Sequence, residues 1–235
     1  MTGRLLVIEH DADCPAALMD AWLADAGCTL DVVRPYAGDP LPDLTSYDGF
    51  VVLGGPMGAD DDAKHDWLGP VKELLREAQG NGLPTLGICL GHQLIASALG
   101  GRVGRNPRGQ QVGLLDVGWT DAAAGDALMG PLATPRRGVQ WNDDLVLALP
   151  EGATLLAETP YGEVQAVRYG PAMWGVQLHP EVDAAGLATW ADEDRTRHGT
   201  VGIDTDAAIR EIDAARAELD EAWRPLATGF AALVR

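Results

Sequence analysis

Leu5-Leu6-Val7-Ile8 is an unbroken apolar run inside Arg4–Glu9, the pattern of a strand buried on both faces of a parallel sheet. From Ala16 to Ala26 the period changes. Leu18, Met19, Trp22 and Leu23 share one helical face, and Gly27 is a natural stop. Leu30–Val33 predicts a second strand. Gly49–Leu53 predicts a third, running straight into Gly54-Gly55-Pro56. Trp67–Ala78 returns to helical spacing, with Leu68, Val71, Leu74 and Leu75 on one side and Asn81-Gly82 as the break. Pro84–Ile88 is a fourth strand, and Gln93–Leu99 a helix closed by Gly100-Gly101. Strand and helix alternate up to this point, which predicts an α/β fold: a mostly parallel sheet with helices on both faces. Ligands of such sheets bind at the carboxyl ends of the strands, so the loops after Leu53 and Ile88 are the places to search.

Beyond Gly101 the pattern shortens. Val112–Trp119, Gly138–Leu149, Thr154–Ala157, Val164–Tyr169 and Ala172–Leu178 read as strands joined by turns, with Gly170-Pro171 a tight hairpin turn. They predict a small antiparallel extension beside the parallel sheet. After Pro180 the chain turns helical over Leu187–His198, and a final helical stretch starts near Asp204. In it Ile209, Ile212, Leu219, Trp223, Leu226, Phe230 and Leu233 recur at three- and four-residue steps, and Pro225 is expected to kink or interrupt it. No repeat or low-complexity linker divides the chain. The expectation is one domain over residues 1–200, with residues 201–235 a helical extension packed on it.

Composition narrows the function. With 235 residues, 46% of them hydrophobic, the chain can bury one substantial core. Its net charge of −18 repels phosphate backbones and anionic lipid, which argues against nucleic acid or membrane as partner. No apolar run approaches a membrane span, and the N-terminus lacks the order of a signal peptide, so a cytoplasmic location is expected. Cys14, Cys28 and Cys89 are odd in number and form no C-x-x-C pair, so neither a disulfide framework nor a zinc site is signalled. No metal or other cofactor is expected.

The candidate chemistry centres on Gly87-Ile88-Cys89-Leu90-Gly91, a G-x-C-x-G run between a strand and a helix. This is the cysteine counterpart of a nucleophile elbow, whose flanking glycines permit a turn too tight for side chains. Amides at the start of the helix would favour the thiolate. A thiolate nucleophile needs a base, and the base an orienting group. His179 ends the strand-like run Trp174–Leu178, and Glu181 follows Pro180 closely enough to turn back onto the imidazole. His92, in the first turn after the elbow, is expected to support the turn. His10 follows the first strand and borders the site, while His65 and His198 sit in charged stretches. An oxyanion hole would take the amide of Leu90, and a second from the loop where Gly54 and Gly55 let backbone approach a substrate.

Together, Val52-Leu53-Gly54-Gly55-Pro56, Gly87-Ile88-Cys89-Leu90-Gly91-His92-Gln93 and Gly175-Val176-Gln177-Leu178-His179-Pro180-Glu181 resemble the class I (triad) glutamine amidotransferase family, over roughly residues 4 to 195. The likeness is to free-standing members similar to the glutaminase domain of GMP synthase. The resemblance implies a flavodoxin-like fold. It implies that Cys89 attacks the γ-carbonyl of glutamine, that His179 is general base and then acid, and that Glu181 orients it. Amides of Gly55 and Leu90 would hold the oxyanion, and Gly54 and Gln93 would contact the substrate. Two stretches depart from the family pattern. Gln110-Gln111-Val112-Gly113 stands where relatives often carry an acidic residue before Val/Ile-Gly. Gln140-Trp141-Asn142-Asp143-Asp144 stands where free-standing relatives show a Trp-His-Gly-Asp-like run. The chain has no G-x-x-x-x-G-K-[ST] loop, so ammonia would pass to a separate synthetase partner that activates the acceptor. Two alternatives stand beside this reading. One is a solitary hydrolase or transferase of a γ-glutamyl amine or peptide; the other is a regulatory subunit without catalytic activity.

Overall fold

The structure, a computed structural model, describes residues 3–198 and 203–234. Alternating elements open the chain: β1 (Gly3–Ile8), α1 (Ala17–Asp25), β2 (Cys28–Val33), β3 (Gly49–Val52), α2 (Leu68–Asn81), β4 (Thr85–Ile88) and α3 (Leu90–Ala98). Shorter strands follow: β5 (Arg102–Arg105), β6 (Gln111–Asp116), β7 (Gly118–Trp119), β8 (Arg137–Asn142), β9 (Asp144–Ala148), β10 (Thr154–Glu158), β11 (Val164–Gly170) and β12 (Met173–Val176). Three helices close the chain: α4 (Ala184–His198), α5 (Thr205–Ala214) and α6 (Arg216–Leu233).

The main sheet has eight strands in the order β2-β1-β3-β4-β12-β11-β10-β7. The first five are mutually parallel, and β11, β10 and β7 extend the sheet antiparallel. β1 shows why both faces must be covered. Its side chains alternate, so Leu5 and Val7 enter one core with α1 and α6, while Leu6 and Ile8 enter another with α2 and α3. Gly82, at φ +66°, ends α2 in the left-handed conformation, as a helix C-terminal glycine should. Among the described residues no helix is long and apolar enough to cross a membrane.

The middle of the chain departs from the expectation in detail. Val112–Trp119 is two strands, broken at Val117, whose N–H bonds the carbonyl of Arg136. Gly138–Leu149 is likewise two strands, β8 and β9, because Asp143 turns the chain. The antiparallel region thus divides: β7, β10 and β11 join the main sheet, while β5–β9 and β6–β8 form separate pairs. At the C-terminus the break falls at Ala215, between α5 and α6, and α6 runs unbroken through Pro225. Ile212, Leu219, Trp223, Leu226 and Phe230 are buried in the same core as α1. Trp223 Nε1 donates to the carbonyl of Arg137 at 2.8 Å, pinning α6 to β8.

Candidate active site

Cys89 stands between β4 and α3 with φ +50° and ψ −106°, a conformation that side-chain-bearing residues rarely adopt. The surroundings enforce it. The Cys89 N–H donates to the carbonyl of Val176 (2.8 Å), and its own carbonyl accepts from Gln93 N–H (3.0 Å). The flanking glycines are steric requirements. A Cβ on Gly91 would lie 2.0 Å from the Val52 oxygen, and one on Gly87 would lie 2.6 Å from the Gly91 carbonyl carbon. The turn therefore works only with bare backbone on both sides of the thiol. α3 begins at Leu90, earlier than its apolar periodicity predicts. As the first residue of the helix, Leu90 leaves its N–H with no acceptor one turn back.

β12 lies beside β4, with Val176 opposite Ile88, and this pairing delivers His179 to the thiol. His179 is buried beside Cys89 and places Nδ1 2.7 Å from Glu181 Oε1. Burial opposes charge on the imidazole. The negative charges of Cys89 and Glu181 outweigh it, and the pKa of His179 is raised well above its ordinary value. With Nδ1–H donated to the carboxylate, Nε2 is left for the thiol proton. Trp190 of α4 stands against the ring, centroids 4.7 Å apart, and is itself tied to the Asp13 carbonyl at 2.7 Å. Gln177 donates to Cys89 Sγ at 3.5 Å.

The remaining predicted positions surround this centre. A Cβ at Gly54 would meet His179 Cε1 at 3.1 Å, so a side chain there would crowd the imidazole; Gly55 lines the cavity. Gln93 also lines it, and its amide nitrogen donates to Gln177 Oε1 (3.1 Å) and to the Asp144 carbonyl (2.8 Å). The cavity, of about 510 Å³, opens above Cys89 and His179 and extends between Trp141, Asn142, Arg105 and Asp194. Trp141 Nε1 and Gln110 Nε2 both donate to Asp194 Oδ2, at 2.8 and 2.9 Å. Cys14 lines the cavity too, but burial, with Asp11 and other nearby anionic groups, pushes its thiol pKa up.

Sequence reasoning gave no role to Trp190, Asp194, Trp141, Gln177 or Cys14.

His10 and His92 are fully buried, and His10 packs against Gly55 at the border of the site. His10 accepts from Trp67 Nε1 at 3.2 Å; His92 Nδ1 lies 3.0 Å from Tyr169 Oη. Burial, with a small contribution from His65 at His10, lowers both pKa values from 6.5 to about 3. Both groups are therefore neutral when folded and charged when unfolded below pH 6.5, so their stabilisation is complete above about pH 6.5 and fades as pH falls toward 3. Between about pH 6 and 5 each should steepen the loss of unfolding free energy by roughly 1 kcal/mol per pH unit. His179, whose pKa is raised rather than lowered, is mostly protonated in both states in that window and adds only a small slope of opposite sign. We expect His10→Asn, which keeps an acceptor for Trp67, to remove about half of this histidine slope in urea titrations. An unchanged slope would contradict the assignment.

Residues 16–187 match the family model described as glutamine amidotransferase class-I. Over 141 residues the chain is 37% identical to gamma-glutamyl peptidase 5 of Arabidopsis thaliana, covering 59% of this chain and 55% of that protein. Over 136 residues it is 40% identical to the glutamine-hydrolysing GMP synthase subunit of Halobacterium salinarum, covering 57% of this chain and 67% of that protein. The match thus spans little more than half the length of the plant protein. The crystal structure of a glutamine amidotransferase from Thermotoga maritima superposes with a TM-score of 0.87 at 26% identity, covering 98% of this chain and 99% of that one.

Proposed function

Because this chain belongs to the class-I glutamine amidotransferase family, we propose that it hydrolyses the γ-amide bond of a glutamyl compound through a thioester on Cys89. Glutamine is the smallest such substrate. The observation that carries this reading is the strained Cys89 turn with the buried His179–Glu181 pair beside it in one cavity. The Cys89 thiolate attacks the γ-carbonyl. The oxyanion forms against the amides of Leu90 and Gly55. The C–N bond breaks as His179 Nε2 gives its proton to the leaving nitrogen. Water, deprotonated by the same nitrogen, then attacks the thioester, releasing glutamate and restoring the thiol. Glu181 holds the imidazole in the required tautomer, and Gln93 and Gly54 contact the glutamyl head.

Two leaving groups are compatible with this chemistry. Ammonia from glutamine would be handed to a synthetase partner, a reading supported by the relative that carries the GMP synthase name. A larger amine is supported by the relative named as a gamma-glutamyl peptidase, and by a cavity that reaches well past the thiol to Arg105 and Asn142. A diazo ketone analogue of glutamine tests the shared step. Intact-mass and peptide analysis should show one adduct, on Cys89, with Cys14 and Cys28 unmodified. Labelling of Cys14 instead, or no labelling under conditions that modify a control amidotransferase, would remove the reading.

A further inference from the structure

The walls of the cavity carry more negative charge than a glutamyl group can use. The loop after β3 contributes Asp60 and Asp61, the β8–β9 turn Asp143 and Asp144, and α4 Glu193 and Asp194. Among the described lining residues Arg105 is the only lysine or arginine, and it is already shared between Asp143 (2.8 Å) and Asp144 (3.5 Å). Lys64 holds Asp61 at 2.8 Å, and Lys72 reaches Asp60 at 3.7 Å; neither lines the cavity. A glutamyl head brings one ammonium and one carboxylate, which cancel, so it adds no net positive charge to this acidic lining.

A second observation marks where a cation belongs. Asn142 lines the cavity at 6% exposure, and its Oδ1 is buried with no hydrogen-bond partner. Its amide nitrogen is used, donating to Gln111 Oε1 at 3.1 Å, so the group left for a ligand is an acceptor. Oδ1 of Asp144 is buried as well, and the cation it meets is Arg105 Nε at 3.5 Å. Burial raises the pKa of Asp144; Arg105 offsets this in part, while Asp143 and Asp61 add to it. An orphaned carbonyl beside crowded carboxylates is satisfied by an N–H donor carrying positive charge.

We propose that the substrate is a γ-glutamyl conjugate of an aliphatic diamine or polyamine, whose free ammonium docks on Asn142, Asp144 and Asp61. The inference rests on the thioester reading above. The reaction is then hydrolysis of the conjugate by one water. The γ-carbon–nitrogen bond breaks, the leaving nitrogen takes its proton from His179, and glutamate and the free polyamine depart. A γ-glutamyl peptide ending in a carboxylate would instead bring like charge against this wall.

Three amides of one chain length separate the cases: γ-glutamyl-putrescine, γ-glutamyl-butylamine and γ-glutamyl-γ-aminobutyrate, ending in ammonium, methyl and carboxylate. At low salt we expect kcat/KM to fall about tenfold from the first to the second and about tenfold again to the third, the spread closing as ionic strength rises. Asp144→Asn and Asp61→Asn should each shrink the ammonium-over-methyl preference about threefold, mainly through KM. If glutamine and the butylamine conjugate are cleaved but the ammonium end confers no advantage, this inference falls and the thioester reading stands. If none of the three amides nor glutamine is turned over, both fall.

Discussion

Cys89→Ala should lower kcat/KM for any γ-glutamyl amide by about ten-thousand-fold or more, because on the proposed mechanism it removes the attacking atom and with it the covalent route. The fold should survive. Alanine keeps the Cβ that already sits at φ +50°, so the strain of the turn is unchanged and only one buried sulfur is lost. A melting temperature within about 3 °C of the parent is expected, since about 1 kcal/mol shifts a chain of this size by 2–4 °C. Amide release followed by glutamate and amine analysis provides the check. Residual activity within tenfold of the parent would mean that another nucleophile carries the attack, and Cys14, in the same cavity, would be the first to test.

The largest stability effect is expected where no chemistry occurs, at Gly91. Its absent side chain leaves room for the carbonyl of Val52, which a Cβ would approach to 2.0 Å. Backbone on both sides cannot yield as a flexible side chain would, so α3 must move away from β3. The Gly91 N–H bond to the Leu53 carbonyl would go with it. Gly91→Ala should therefore cost about 3 kcal/mol or more, a drop in melting temperature of roughly 6–12 °C. Activity should fall with it, since Leu90 and Cys89 belong to the same turn. Gly125→Ala is the control: nothing lies within 4 Å of its Cβ, and a change within about 0.5 kcal/mol is expected. Equal stability of the two variants would show that the close approach at Gly91 relaxes freely.

The parallel half of the fold was legible because burial on both faces leaves a strong local mark. Leu5–Ile8 is continuous apolar sequence, and the glycines around Cys89 break the pattern at a point where only backbone fits. The antiparallel half was harder because its strands are short and partly exposed. Arg102-Val103-Gly104-Arg105 forms β5 with arginines at both ends and no alternation to read. The turn at Asp143 did carry a signal, the run Asn142-Asp143-Asp144, which a reading of Gly138–Leu149 as one strand passes over. The C-terminal periodicity identified the buried face of α5 and α6, but the break at Ala215 carries no glycine or proline. In the site, G-x-C-x-G and the His179-Pro180-Glu181 step are local motifs, and so were readable. Trp190, Asp194, Gln110 and Trp141 meet only through packing of α4 against β8, and nothing in their separate surroundings predicts that meeting.

The place of β12 has a consequence for the order in which this chain can assemble. Its neighbour in the sheet, β4, is made far earlier, and the whole antiparallel half lies between them. Strand pairs so remote in sequence close late, because the entropy of the intervening loop must be overcome before contacts reward it. Until β12 docks, Cys89 lacks both the Val176 carbonyl that fixes its turn and the imidazole proposed as its base. On the proposed mechanism, nucleophilic power would therefore be coupled to completion of the sheet, and a half-made or partly opened chain would carry an ordinary thiol.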